Sequence, residues 1–176
     1  MYRRVGSILL AVIFFIIIVV FHNPASCVTS NLEVMNTGTS LTGVVDDGAK
    51  VTLEKGYYNC QPVKRGDIVA YDYGGSDIPI IKIVKGIPRD TFSLEKEGDY
   101  WNLFINGRIV KNSKEEPYTL NKDHHRMLAL YEKDYGGVIP ADAYLILGNL
   151  AGGSVDSTRF GLVGKSDFLG RIRLPL

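Results

Sequence analysis

The chain has 176 residues, with 20 Lys and Arg against 19 Asp and Glu and a formal net charge of +1. That length suits one modest domain with a real core, and the near-neutral balance leaves no basic footprint for a nucleic-acid partner. An aromatic content of 10% with 19 glycines fits a β-rich globular domain.

The N-terminus departs from that average. Arg3 and Arg4 precede an uncharged apolar run from Val5 to Phe21. As a helix, the run is about 25 Å long, just short of typical hydrocarbon thickness. It exceeds the core of a cleaved signal peptide, about 7–15 residues, so it reads as an uncleaved anchor. A cleavage site near Asn23-Pro24-Ala25-Ser26 is a poorer reading. So is a lipoprotein-like Pro24-Ala25-Ser26-Cys27, which lacks a leucine three positions before the Cys. Residues 1–22 are therefore assigned as a transmembrane helix, 23–36 as a tether and 37–176 as the exported domain. The arginines hold the N-terminus in the cytoplasm, which predicts a single-pass protein of the inner (cytoplasmic) membrane with a periplasmic or extracytoplasmic domain. In that compartment Cys27 and Cys60 can pair as a disulfide or remain two thiols, and spacing does not decide between them.

Beyond the tether, short runs rich in β-branched residues alternate with Gly, Pro, Asn and Asp, the pattern of many short strands. Strands are predicted at Lys50–Glu54, Ile68–Tyr73, Ile78–Val84, Thr91–Glu95, Leu103–Ile105, Arg108–Lys111, Ala143–Leu147 and Leu169–Leu174. Asn106-Gly107 between apolar positions predicts a tight hairpin, and residues 72–77 a second hairpin loop. Residues 112–137 are polar and aromatic with weak periodicity, an exposed excursion or a short helix. His124 and His125 within them are read as a solvated loop rather than a metal site, since adjacent strand residues point apart. No metal and no cofactor is expected.

Lys82 interrupts an otherwise apolar strand, Ile78-Pro79-Ile80-Ile81-Lys82-Ile83-Val84. A strand apolar on both faces is central and buried. Lys82 shares a face with Ile80 and Val84, whereas Lys85 at the strand end can reach water. A desolvated lysine loses its proton nearer neutral pH and can then take one from a serine hydroxyl. Ser40 stands in a turn-rich stretch, Gly38-Thr39-Ser40-Leu41, that runs on to Asp46-Asp47-Gly48. A structural ion pair for Lys82 is the competing reading of the strand alone. Leu41, Val44 and Val45 beside the serine are read either as an apolar rim touching membrane lipid or as ordinary core.

Four segments then occur in a recognisable order. Gly38-Thr39-Ser40-Leu41 with Asp46-Asp47-Gly48 resembles the nucleophile segment of type I signal peptidases. Arg65-Gly66-Asp67-Ile68-Val69 resembles that family's Gly-Asp-apolar-Val segment. Lys82-Ile83-Val84-Lys85-Gly86-Ile87-Pro88-Arg89-Asp90 resembles its lysine segment, and Leu147-Gly148-Asn149 with Ser154-Val155-Asp156-Ser157 and Phe160-Gly161 its last one. The resemblance implies a mainly β fold, an antiparallel β-barrel or sheet domain behind one transmembrane helix. It implies Ser40 as nucleophile, Lys82 as general base, Ser154 as the serine that hydrogen-bonds and orients the lysine, and Asp156 as an acidic support. The backbone N–H of Ser40 would be one oxyanion donor, with Thr39 or Thr37 as candidate second donor, because Gly38 stands where many members carry a serine. Other departures are Arg89 for a glycine, Asn149 for an aspartate, Leu150 and Ala151 for an Asn-Arg pair, and Thr158 before Arg159, which puts the expected Asp–Arg pair out of register.

The short chain and altered last segment resemble the conjugative-transfer (TraF-like) branch, whose members mature a pilin and in some cases close it into a ring. The expected partner is an exported pre-protein or pilin precursor, cut after small residues. The rival reading is a non-catalytic, membrane-anchored assembly component of a secretion or conjugation apparatus. A self-cleaving repressor-type protease does not fit the run from Val5 to Phe21, and a ligand-binding β-domain does not account for the ordered segments.

Overall fold

The computed structural model describes residues 30–74 and 78–175. The expected anchor, and the part of the tether that holds Cys27, lie outside the described residues. Among the described residues, no helix is long and apolar enough to cross a membrane. Cys60 is disulfide-bonded.

The chain is mainly β, and all its strand pairs are antiparallel. A seven-stranded sheet contains β1 (Ser30–Met35), β2 (Lys50–Lys55), β3 (Ile68–Tyr71), β4 (Ile80–Gly86), β9 (Ala143–Leu147), β10 (Val163–Gly164) and β11 (Phe168–Arg173), in the order β1-β2-β11-β3-β4-β9-β10. A second, four-stranded sheet holds β5 (Phe92–Glu97), β6 (Tyr100–Ile105), β7 (Arg108–Ile109) and β8 (Thr119–Leu120).

Alternation explains β2, which buries Val51 and Leu53 and leaves Lys50 exposed. Strand β4 is different. It lies between β3 and β9 and is buried along most of its length, as a doubly apolar strand must be. The tight hairpin forms between β6 and β7, where Ile105 pairs with Arg108. Asn106 and Gly107 have φ of 50° and 71°, the pair of positive angles that a type I′ turn requires.

Three apolar clusters hold the sheets together. Phe92, Leu103, Ile105, Tyr118, Ile139, Leu145 and Leu147 join the small sheet to β9. Leu41, Val45, Val51, Leu53, Ile81 and Ile83 close the space beneath the serine loop. Tyr58, Val69, Val84, Ile146 and Phe168 belong to the third. Leu41 and Val45 are thus core rather than an apolar rim, at 0% and 4% exposure. Gly170 in β11 is required by contact: a Cβ there would run into the backbone carbonyl of Glu54.

Two expectations change. The second half of the presumed tether is strand β1, paired with β2 over its six residues, Ser30↔Lys55 to Met35↔Lys50. It is an edge strand held by backbone pairing, with Leu32 exposed and only Val34 partly buried, so its apolar alternation is too short to stand out.

The polar excursion contains helix α1 (Lys122–Asp134), begun by Asn121, whose side-chain oxygen accepts the N–H groups of Asp123 and His124 at 3.1 and 3.0 Å. The histidines are therefore not in a solvated loop. His125 stacks on Trp101, with ring centroids 4.0 Å apart. His124 is 4% exposed, one turn before the fully buried Leu128, and its two ring nitrogens have no partner among the described residues. Burial, with Arg159 nearby, holds its pKa below the ordinary 6.5, and the nearby Asp156 and Asp123 only partly oppose this. A lowered pKa in the folded state means that the unfolded chain binds more protons below pH 6.5. Stability is accordingly complete above pH 6.5 and is lost as the pH falls below it. The urea midpoint of His124→Leu minus that of wild type is expected to rise as the pH falls below 6.5, because the variant lacks that acid-sensitive loss.

Candidate active site

Ser40 sits in an irregular loop between β1 and β2, so its backbone needs partners other than a sheet. Thr42 N–H donates to the Thr39 carbonyl at 3.0 Å, and Val45 N–H to that of Leu41 at 2.9 Å, which winds the loop into turns around the serine. Buried Asn36 exchanges backbone bonds with Ala49 and Gly48 at 2.8 Å each, and its side-chain amide donates to the Asp46 carbonyl at 2.9 Å. Gly38 N–H donates to an Asp47 carboxylate oxygen at 2.7 Å, from a φ of 98° that favours glycine. The Asp46-Asp47-Gly48 turn is thus a brace for the loop.

The loop delivers Ser40 to Lys82. Lys82 Nζ is 2.9 Å from Ser40 Oγ and 3.0 Å from the Ile81 carbonyl. The lysine is 4% exposed. Burial pushes its pKa below the ordinary 10.5, and the charge of Asp156 opposes that fall. No carboxylate pairs directly with Lys82 among the described residues, which removes the structural ion-pair reading. A base within hydrogen-bond reach of a hydroxyl, with its charged form disfavoured, is the arrangement that activates a serine.

Asp156 is fully buried and caps the short helix α2 (Ser157–Phe160). One carboxylate oxygen accepts Ser154 Oγ at 2.6 Å and Gly148 N–H at 3.0 Å. The other accepts Thr158 N–H at 3.0 Å and Thr158 Oγ1 at 2.7 Å. Ser154 therefore gives its hydroxyl to Asp156 and not to Lys82. It still crowds the loop: a Cβ on Gly148 would lie 2.5 Å from Ser154 Oγ and 2.7 Å from the Ser40 carbonyl. Thr39 is exposed, and its carbonyl closes the turn with Thr42. The N–H of Ser40 has no acceptor among the described residues. A cavity of about 70 Å³, bounded by Met35–Thr37, Ser40 and Ile78–Lys82, opens beside the pair. Among the described residues, no group of His, Cys, Asp and Glu is placed to hold a metal ion.

A model of the family described as "Signal peptidase, peptidase S26" matches residues 3–176. The chain belongs to this family. A signal peptidase I from Bacillus licheniformis is 30% identical over 138 residues, 76% of this chain and 69% of the relative. Signal peptidase IB from Staphylococcus aureus (strain COL) is 27% identical over 146 residues, 77% of this chain and 72% of the relative. The crystal structure of a signal peptidase I from Enterococcus faecalis aligns with a TM-score of 0.45 at 25% identity, covering 64% of this chain and 98% of the other.

Several departures from the family pattern find partners in this S26 chain. Arg89, in place of glycine, adopts a φ of 71° and donates its N–H to the Ile139 carbonyl at 2.9 Å. Thr158 takes up the Asp156 oxygen that faces it, while Arg159 is exposed.

Asn149, noted in the sequence only as a departure, has a role that sequence reasoning did not assign. It is 2% exposed. Its N–H donates to the Ser40 carbonyl at 2.6 Å, and its side-chain amide to the Thr42 carbonyl and Ser113 Oγ at 2.8 and 2.7 Å. Its side-chain oxygen accepts Ser113 N–H at 3.0 Å. It pins the serine loop from behind as a positioning residue. The replacement of an acceptor-only aspartate by an amide, the change noted at this position, was the available signal, because only the amide can donate to a carbonyl.

Asn149→Asp places a second acceptor against the Thr42 carbonyl. It is expected to lower kcat about tenfold or more with little change in KM, since it misplaces the nucleophile rather than the substrate. Steady-state kinetics on a peptide substrate would check this. Asp156→Asn removes the charge that holds a proton on Lys82. The acid limb of kcat/KM is therefore expected to move to lower pH, whereas a purely structural role would lower the whole profile without displacing it.

Proposed function

We propose that this chain is a membrane-anchored serine endopeptidase of the signal peptidase I type, cutting exported pre-proteins after small residues through an acyl-enzyme on Ser40. The observation that carries the reading is the 2.9 Å contact between Ser40 Oγ and the desolvated amine of Lys82. The family membership and the ordered segments support the same assignment. The anchor expected at residues 1–22 would hold the site at the outer face of the cytoplasmic membrane, where a signal peptide ends.

In this mechanism the substrate lies extended against the edge strand β1, whose outer side is unpaired among the described residues. The cavity beside Ser40, about 70 Å³, suits an Ala-sized side chain. Neutral Lys82 takes the Ser40 proton as Oγ bonds to the scissile carbonyl carbon. The free N–H of Ser40 faces the developing oxyanion, with Thr39 or Thr37 as a second donor. Lys82, now charged, gives the proton to the leaving amine as the C–N bond breaks. Water then attacks the ester, Lys82 takes its proton, and Ser40 Oγ leaves as the hydroxyl. Asp156 acts throughout by its charge, and Ser154 by holding Asp156 in place.

The finer reading is maturation of a conjugative pilin. There a peptide amine in place of water would join the pilin ends into a ring. The altered last segment, with its amide at Asn149, supports that branch. The non-catalytic assembly role drew on the altered last segment, and Asn149 and Thr158 give that segment working contacts around the serine and Asp156.

The decisive measurement is intact mass of a candidate pre-protein or pilin precursor co-expressed with wild type, Ser40→Ala or Lys82→Ala. Loss of maturation in both variants is the expected result. Unchanged maturation in both would defeat the peptidase reading for that substrate. A wild-type product one water lighter than the cut peptide would identify ring closure.

A further inference from the structure

A second cavity lies away from Ser40. It measures about 490 Å³ and is lined by Arg65, Lys85, Arg108 and Lys111, with Asn106 and the apolar Ile105, Ile109 and Val110. None of these lining residues is acidic. The near-neutral chain thus gathers four cations around one hollow.

The array is held in place. Arg65 bonds the Lys85 carbonyl through one guanidinium nitrogen and Asp90 through the other at 2.6 Å. Asp90 is itself buried and accepts Ile87 N–H at 2.7 Å and the Asn106 amide at 2.8 Å, so it serves as a fixed post for Arg65. Lys85 Nζ donates to the Lys111 carbonyl at 2.9 Å and lies 5.4 Å from the centroid of the Tyr118 ring. No carboxylate pairs with Lys85 among the described residues. Burial lowers its pKa below 10.5, with Glu115 the opposing charge. Lys111 meets Glu115 at 3.3 Å across an exposed pair, a contact of small energetic value. Arg108, on the β6–β7 hairpin, has no ion pair among the described residues.

A half-buried ammonium fixed by a neutral carbonyl is a charge without a counter-ion. Arg65 and Lys111 already have carboxylate partners, so the uncompensated charges at this hollow are Lys85 and Arg108, which together match an anion with several acceptor oxygens and more than one negative charge. A lone carboxylate would leave one of these two cations without a counter-charge. We propose that this cavity is a binding site for a phosphate group, carried either by an anionic phospholipid headgroup or by a soluble phosphate. The proposal is independent of the peptidase reading, since none of these four residues belongs to the Ser40 site.

The test is calorimetric titration of the full chain in neutral detergent. The probes are inorganic phosphate and a short-chain phosphatidylglycerol, with sodium chloride at matched ionic strength as reference. The comparison variant is Arg108→Ser with Lys111→Ser. Both side chains are exposed, and the substitution keeps the Lys111 carbonyl that holds Lys85. Saturable binding of at least one probe, weakened about tenfold in the variant and not reproduced by chloride, is the expected result. Tighter binding of the lipid than of inorganic phosphate, lost in the same variant, would assign the source to a headgroup. Binding of inorganic phosphate alone would assign it to a soluble ligand. The proposal fails if neither probe binds saturably, if chloride gives the same heat, or if the variant binds as wild type does. It also fails if a glutamate-rich peptide binds more tightly than both phosphate probes.

Discussion

The desolvation of one ammonium group organises this molecule. Lys82 stands in the middle of a central, largely buried strand, 4% exposed, with a hydroxyl and a backbone carbonyl as its hydrogen-bond partners. Burying a charged amine without a paired carboxylate is unfavourable, and the protein relieves that cost by favouring the neutral form. That form is the one that can accept a proton from Ser40. The strand order follows the same constraint. With β3 on one side and β9 on the other, β4 is kept from water, and β9 leads directly into Gly148, Asn149 and the Asp156 turn. Lys82 and the loop that carries Asp156 therefore arrive from neighbouring strands.

A serine that must present its hydroxyl to such a base cannot lie within a regular ladder, because its backbone would be committed to pairing. The loop from Asn36 to Ala49 meets this by collecting bonds from three directions. Asn36 closes its base, Asp47 holds Gly38, and Asn149 pins Ser40 and Thr42 from behind. Leu41 and Val45 anchor the loop in the core, where each buried side chain contributes on the order of 1.5–3 kcal/mol. Ser40 is positioned by its neighbours on both sides, and its N–H is left free of that bonding among the described residues.

Parts of this arrangement were legible in the sequence because they rest on local chemistry. An apolar strand broken by one lysine identifies a central strand and a candidate base, and Asn106-Gly107 identifies a hairpin through backbone angles other residues avoid. Strand β1 was hidden because it is an exposed edge, held by Ser30–Met35 pairing with β2, and its apolar period is limited to Leu32 and Val34. Helix α1 was legible only as one of two alternatives for residues 112–137, because its buried stripe is narrow, His124 and Leu128, inside a polar segment, and its cap, Asn121, reads equally well as a turn residue. The roles of Asn36 and Asn149 escaped notice for a third reason, although Asn149 itself stood out as a departure from the family pattern. Their bonds reach backbone carbonyls supplied by tertiary structure, and no spacing along the chain announces such a contact.

Ser154 and Thr158 show why a family pattern transfers by chemistry rather than by position. The pattern offers a serine for the lysine and an arginine for the aspartate. Here the serine hydroxyl goes to Asp156, and Thr158 supplies two neutral donors to the other oxygen of the same carboxylate. Neutral donors satisfy lone pairs without cancelling charge. An arginine paired with Asp156 would damp its field at Lys82. With threonine in that role, the field acts undiminished and favours the ammonium. Burial acts against it. The proton affinity of Lys82 in this chain is therefore a contest between the apolar walls of β4 and a single uncancelled carboxylate. The departures in the last segment shift that balance while leaving the Ser40–Lys82 contact in place.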